Sequence, residues 1–226
     1  MGLAGRSHSD SVQPMIGPEK PLVLGSASPR RRDLLSSLGI PVQVLPADIV
    51  EDPRPGEAPE GYLERIAQEK LEAVARRARA IAASASGGLL VADTTVVIDG
   101  RILGKPATID EAEEMLASLC GRTHQVHTRY AIARPEAPGR AAAARTVTSD
   151  VRLRAASAGE IRRYAATGEG LDKAGAYAAQ GIGTFLVERI VGSYSNVVGL
   201  PTCEVVLDLR SCGLLGEFPL LPPERG

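Results

Sequence analysis

Apolar residues in this chain of 226 residues fall into short solid runs and into helical stripes. Residues 21–24 form an apolar run that predicts a buried strand, and 42–45 predict a second. Between them Ser28 is placed to cap a helix that takes Pro29 at its first position and stops at Gly39. Residues 52–59, rich in Pro, Gly and acid, read as a loop. Leu63, Ile66, Ala67, Lys70, Leu71, Val74, Ala78 and Ile81 follow i, i+3, i+4 spacing and predict a helix over 60–83. Lys70 is the one charged residue in that stripe. After Gly87-Gly88 a strand is predicted over 89–98, with Asp99-Gly100 as a hairpin turn returning through 101–103. Residues 109–119 have an amphipathic helical pattern closed by Gly121. Residues 126–134 predict a strand, 135–145 a surface connection, and 147–153 an alternating strand. A helix over 157–167 starts with Ser157 and Glu160 at capping-box spacing. Residues 171–201 are punctuated by glycine, and 198–209 begin with a turn that leads into a final helix. Hairpins and helices mixed without strict βαβ alternation predict an α/β fold, a mixed β-sheet flanked by helices.

Composition narrows the function. The formal net charge is -1, aromatic content is 3% and Trp is absent, so neither the basic excess nor the stacking platforms of a general nucleic-acid binder are present. No apolar run reaches the ~20 residues of a membrane helix, and residues 1–20 lack the apolar stretch of a signal peptide. Cys120, Cys203 and Cys212 are too few and too scattered for a disulfide framework or a zinc cluster, which points to a reduced, cytoplasmic setting.

Chemistry concentrates in a few places. Arg30, Arg31 and Arg32 fall in the first turn of the first predicted helix, where the macrodipole disfavours cations. With Ser26, Ser28 and free backbone N–H groups they suit an anion such as phosphate; the other reading is a solvated basic turn. Asp93 lies inside the apolar strand 89–98. A carboxylate there is costly unless paired, metal-bound or protonated, which makes it a general-base candidate or a structural Asp satisfied locally. Across the predicted hairpin Lys105 falls opposite Thr94, one residue from Asp93. An ideal ladder aims the two side chains to opposite faces, and a bulge at Gly104 brings them to one face. Lys70 either snorkels to water or serves a site. Glu51 is a loop acid or a Mg²⁺ ligand. The amide of Gln180 carries a donor and an acceptor, matching the edge of uracil or thymine; the other reading is an exposed loop glutamine. His124 and His127, three apart, read as structural, and no Gly-x-Ser-x-Gly elbow is present.

In their order along the chain these pieces resemble the Maf family of nucleotide pyrophosphatases. The matching stretches are Ser26-Ala27-Ser28-Pro29-Arg30-Arg31, Ala92-Asp93-Thr94-Thr95-Val96-Val97, Leu103-Gly104-Lys105-Pro106, Gly121-Arg122-Thr123-His124, Asp172-Lys173-Ala174-Gly175-Ala176-Tyr177 and the run from Gly192 to Pro201. The similarity spans about 21–210 and implies one such domain, with 1–20 a flexible extension and 211–226 a flexible tail. It implies a fold related to the inosine triphosphate pyrophosphatases, a homodimer, and a hydrolase of nucleotide metabolism. The reaction implied is cleavage of a nucleoside triphosphate to the monophosphate and pyrophosphate, aided by a divalent cation, Mg²⁺ or Mn²⁺.

By the same resemblance Asp93 is the catalytic proton acceptor. Arg30, Thr94 and Gln180 govern substrate choice, while Ser26, Arg31, Glu51, Lys70 and Lys105 surround the phosphates. Glu51 and Asp93 are the metal ligands it suggests. The blocks around Asp172 and Gly192, with Gln180, resemble the branch acting on dTTP and UTP, extending to modified pyrimidine triphosphates. The alternative is a nucleotide-binding regulatory protein of cell division or septum formation with little hydrolysis. Two departures are Gly25, where the family often has Ala, and Ala179, where Ile is usual.

Overall fold

One strand, β3 (Gly88–Ile98), organises the molecule, because it is paired along its whole length on one edge and only at its two ends on the other. A computed structural model describes residues 15–80 and 86–220. Its seven-stranded sheet runs β2 (Val42–Val44), β1 (Leu22–Leu24), β3, β5 (Thr123–Ala133), β6 (Ala141–Leu153), β7 (Val187–Val191), with β4 (Arg101–Leu103) also on β3. β1 lies parallel to β2 and β3, and every other pairing is antiparallel, so the sheet is mixed as expected. β1 meets β3 at residues 88–90 and β4 meets it at 96–98 on the same edge. The middle of β3 is left without a strand there, and the functional cleft opens at that gap.

Local chemistry explains most element boundaries. Helix α1 (Pro29–Ser37) starts at its proline and ends where Gly39 takes φ +74°. Ser28 stands at the cap position, but its side chain makes no capping bond; its N–H instead donates to Ser26 Oγ at 3.3 Å. Asp99 and Gly100 both have positive φ, as a tight hairpin requires. Thr108 caps α3 (Ile109–Leu119), and Ser157 with Glu160 forms the expected capping box of α4 (Ala158–Ala166). Helix α2 (Pro59–Ala80) buries Leu63, Ile66, Leu71 and Val74 as its stripe predicts. Ile81 and the last turn expected for that helix lie outside the described residues.

Residues of β3 alternate between two cores. Leu89 and Val91 pack with Val23 under Leu71 and Val74 of α2. Leu90 and Ala92 pack on the other face with Leu35 of α1 and with Val205 and Leu209 of the final helix, Thr202–Ser211. Further along, Val96 and Ile98 join a third cluster with Leu116 and Leu119 of α3 and Ile161 and Tyr164 of α4.

Three sequence expectations are corrected. Residues 141–145 are not a connection but the first part of β6: they pair with 130–133 of β5, with a register shift between Ile132 and Ala133. β7 was not expected; it is a half-exposed edge strand without a clean apolar alternation. The packed unit also reaches past the boundaries set at 20 and 211. Ile16 is buried and donates its N–H to Leu214 O at 2.9 Å, and Cys212, Leu214 and Leu215 are buried in the same core. Residues 1–14 and 221–226 of the expected extension and tail lie outside the described residues.

Candidate active site

A cleft of about 1070 Å³ opens at the gap between β1 and β4. Ser26, Arg30, Arg31, Glu51, Lys70, Asp93, Thr94, Lys105 and Gln180 all line it, so the fold brings together the nine residues to which the resemblance gives a role, whereas Arg32, His124 and His127 are not among its lining. On the α2 face of the sheet the Asp93 side chain meets Lys70. The Lys70 Nζ donates to Asp93 Oδ1 at 2.6 Å and stands 2.9 Å from Glu51 Oε1. Lys70 and Asp93 are both buried. The lysine of the apolar stripe therefore does not snorkel to water, and its charge is spent on two carboxylates. A buried ammonium needs that pairing, since an isolated one costs far more than its hydrocarbon stem gains. The loop leaving β2 carries Glu51, whose side chain is 40% exposed and can reach a ligand in the cleft.

The other face is organised by Arg31. Consecutive helical residues point about 100° apart, so the arginine run divides. Arg32 faces water and bonds its neighbour Asp33. Arg30 reaches across the cleft to Asp172 Oδ2 at 3.1 Å. Arg31 turns inward and is 8% exposed. It donates Nε–H to Gly199 O at 2.7 Å, Nη1–H to Ser26 Oγ and Ala92 O, each at 2.9 Å, and Nη2–H to Thr94 Oγ1 at 2.9 Å. Four of its five N–H groups are thus committed to the protein. Burial pushes its basicity down, opposed by the charges of Asp93 and Glu51, yet a guanidinium stays protonated at any working pH.

Two residues that the resemblance places at the site also hold the fold together. Arg31 is a clamp: it joins the α1 start, the open edge of β3 and the Gly199 turn, with one N–H uncommitted among the described residues. Thr94, expected to serve substrate choice, has its hydroxyl within 2.8 Å of Thr128 Oγ1 as well as on Arg31. Gly25 fits the same tight packing. A Cβ there would stand 2.5 Å from Val74 Cγ2 and 2.7 Å from Val91 Cγ1, so in this chain Gly lets the Ser26 loop lie down on α2 and β3.

Lys105 stands exposed on the far wall, just past the end of β4. The ladder pairs Ile98 with Arg101 and ends at Val96 with Leu103, so no bulge at Gly104 is needed: the chain leaves the sheet before Lys105. Sequence reasoning assigned no roles to Glu169, Asp172 and Lys173, which also line the cleft. Asp172 pairs with both Arg30 and Lys173. Burial would raise its carboxyl, but hydrogen bonds from Lys173 and Arg30 outweigh that and hold it below its ordinary value. The signal available was the Asp172-Lys173 pair inside one of the matching blocks. Tyr177, also lining the cleft, sits with its hydroxyl 2.8 Å from His124 Nε2. Burial pushes His124 down to about 4, so it is neutral, a structural histidine as its spacing suggested.

Asp93 and Glu51 meet the chemistry of a hard divalent cation. Each gives one oxygen to Lys70, and among the described residues no hydrogen bond occupies the second oxygen of either. Mg²⁺ is commonly held by one or two carboxylates plus substrate phosphates and water. Among the described residues no set of three His, Cys, Asp or Glu side chains forms a metal cage.

The model of the Maf-like protein family matches residues 21–212. The dTTP/UTP pyrophosphatase of Myxococcus xanthus is 50% identical over 193 residues, covering 85% of this chain and 93% of that protein. The dTTP/UTP pyrophosphatase of a Geobacter species is 48% identical over 197 residues, covering 87% and 97%. Among solved structures, the Staphylococcus aureus Ham1 protein aligns with TM-score 0.38 and 15% identity over 59% of this chain and 72% of that one. With one family model spanning the sheet, its helices and the whole cleft, and relatives half identical over nearly their full length, this chain belongs to the Maf family.

Proposed function

We propose that this protein is a nucleoside triphosphate pyrophosphatase that hydrolyses dTTP and UTP to the monophosphate and pyrophosphate. The observation that carries the reading is the Lys70–Asp93–Glu51 cluster, set in a cation-rimmed cleft of a chain half identical to proteins named for this activity. The triphosphate lies along the cleft with Arg30, Lys105 and Lys173 on its oxygens and the free N–H of Arg31 near the α1 start. Asp93 takes a proton from the water that attacks the α-phosphorus, and Lys70 holds the carboxylate in place. Pyrophosphate leaves while still bound to the same cations, which stabilise the charge that develops on it. Glu51 and Asp93 would hold a Mg²⁺ or Mn²⁺ ion, which neutralises phosphate charge when bound. Gln180 reads the base edge, since its amide is exposed in the cleft.

Three further parts belong to this reading. The protein works in the cytoplasm, where the free Cys120, Cys203 and Cys212 stay reduced. No helix among the described residues is long and apolar enough to cross a membrane. The working form is a homodimer, and no nucleic acid takes part. The test is pyrophosphate release from a panel of canonical and modified triphosphates, with Mg²⁺ or Mn²⁺ added, in wild type and Asp93→Asn. We expect metal-dependent, stoichiometric release, fastest with dTTP and UTP, and near abolition in the variant. Wild-type turnover by Asp93→Asn rules out Asp93 as the base, and binding without release overturns the enzymatic reading.

A further inference from the structure

Gln180 is exposed and extended (φ -133°, ψ 160°), and it stands just before a single 3-10 stretch, Gly181–Leu186. Its side chain does not cap that stretch, and among the described residues no hydrogen bond engages its amide. What fixes its place must act on the backbone either side of it. Two buried or half-buried side chains do so. Glu169 accepts the Ile182 N–H on Oε1 at 2.9 Å and the Gly183 N–H on Oε2 at 2.7 Å. Tyr164 donates its hydroxyl to Glu169 Oε2 at 2.9 Å and accepts the Ala178 N–H at 3.0 Å. The chain is thus held two residues before Gln180 and again two and three residues after it.

This clamp is built with little slack. A Cβ at Gly181, whose φ is +75°, would fall 2.3 Å from Glu169 Oε1, and one at Gly183 would fall 2.5 Å from the Tyr164 hydroxyl. Tyr164 belongs to α4 and is 2% exposed, so the clamp is anchored in the core shared by α3 and α4. Lys173 reaches the Glu169 carbonyl as well. Burial would raise the Glu169 carboxyl, but the two amides and the phenol outweigh it and keep the group anionic. An anionic acceptor makes shorter, stronger bonds than a neutral one, and here it serves three donors at once.

We propose that Glu169 and Tyr164 are positioning residues that set where the Gln180 amide stands and so govern discrimination at the base edge. The proposal rests on the reading that Gln180 contacts the base. Hydrogen bonds weaken steeply with angle, so a turn free to shift would leave the amide present but misaligned.

The experiment compares UTP with N3-methyl-UTP, which carries the same triphosphate but lacks the N3–H. Glu169→Gln and Tyr164→Phe should lower the kcat/KM ratio of UTP over the analogue by about tenfold, the worth of one well-aligned hydrogen bond. KM for UTP should rise with kcat little changed, as for loss of a contact made equally in ground and transition states. Inhibition by inorganic pyrophosphate, which has no base, should stay within about twofold of wild type. Gln180→Ala is measured alongside. If it loses discrimination while both clamp variants keep it, the clamp is refuted and the base reading stands. If Gln180→Ala keeps discrimination, the base reading fails and the clamp falls with it. A parallel loss of pyrophosphate binding with the ratio unchanged shows a merely structural role and also overturns the proposal. Should Glu169→Gln fail to fold, Tyr164→Phe decides the matter, because it removes one hydroxyl and leaves both amides of the 3-10 stretch on the carboxylate.

Discussion

Removing the Lys70 ammonium tests how the central carboxylate is held. The two side chains are 6% and 8% exposed and their charged atoms are 2.6 Å apart. At an effective dielectric of about 20, charges this close attract by roughly 6 kcal/mol. Desolvation offsets much of that, but breaking such a pair from one side strands the other charge, at a cost of about 3–5 kcal/mol. Glu51 shares the ammonium, but it is 40% exposed and water screens it. Lys70→Met and Asp93→Asn should therefore each destabilise the protein, and the double variant should recover a coupling of about 2–4 kcal/mol. The assay is urea unfolding of all four proteins, with constant slopes as the check that the unfolded state has not changed. Stabilities that add to within about 0.5 kcal/mol would show that the two charges do not hold each other, and the account of Asp93 given above would be wrong.

His124 is held near 4 in the folded protein against 6.5 unfolded, so the unfolded chain binds an extra proton between those values. Stability should fall as pH drops from 6.5 to 4, by up to about 3 kcal/mol. Burial lowers His127 in the same direction, so the His124 share is the difference between the pH profiles of wild type and His124→Gln; equal profiles would contradict it. Arg31→Lys cannot reproduce a fork that serves Gly199 O, Ala92 O, Ser26 and Thr94. It should cost about 1–3 kcal/mol and lower Tm by roughly 3–10 °C, and a melt within about a degree of wild type would remove the clamp role. Asp172→Asn frees Arg30 and Lys173 from a competing carboxylate. As the Asp172 side chain is 62% exposed and water screens it, pyrophosphate should bind only about two- to fivefold tighter, and weaker binding would refute the competition.

Features fixed within a few residues were legible in the sequence. The capping box at Ser157, the Asp99-Gly100 hairpin and the α2 stripe depend on neighbours in the chain, and each formed where expected. Site residues were legible as chemical types in unusual places: a carboxylate in an apolar strand, a lysine in an apolar stripe, arginines at a helix start. What they do to one another was not legible. Lys70 and Asp93 are 23 residues apart, and nothing local says that an α2 residue lies over that point of β3. The Arg30-Arg31 pair looked like one anion site, but the helical turn sends one outward to Asp172 and the other into the core. Glu169 sits between two glycines and reads as an ordinary loop acid. Only folding reveals that it receives amides from 13 and 14 residues further on. β7 and the start of β6 escaped for the same reason, since edge pairing and small alanines leave little apolar pattern.

Charge balance in the cleft links these observations to the proposed reaction. Three cations that look free in the sequence have partners in the structure: Lys70 on Asp93 and Glu51, Arg30 and Lys173 on Asp172. Unpaired, they would repel one another across the gap in β3, and buried Lys70 would cost most. On the proposed reading a triphosphate displaces Asp172 from Arg30 and Lys173, and the exposure of the Asp172 side chain makes the exchange cheap. It does not displace Asp93 from Lys70, because that pair is buried and is needed to aim the carboxylate. The oxygens of Asp93 and Glu51 that Lys70 leaves unused would hold a divalent cation, which would neutralise phosphate charge there. The exposed pairs are therefore the exchangeable part of the site and the buried pair its fixed part. Substitutions in the first should move binding constants, and substitutions in the second should move turnover and stability together.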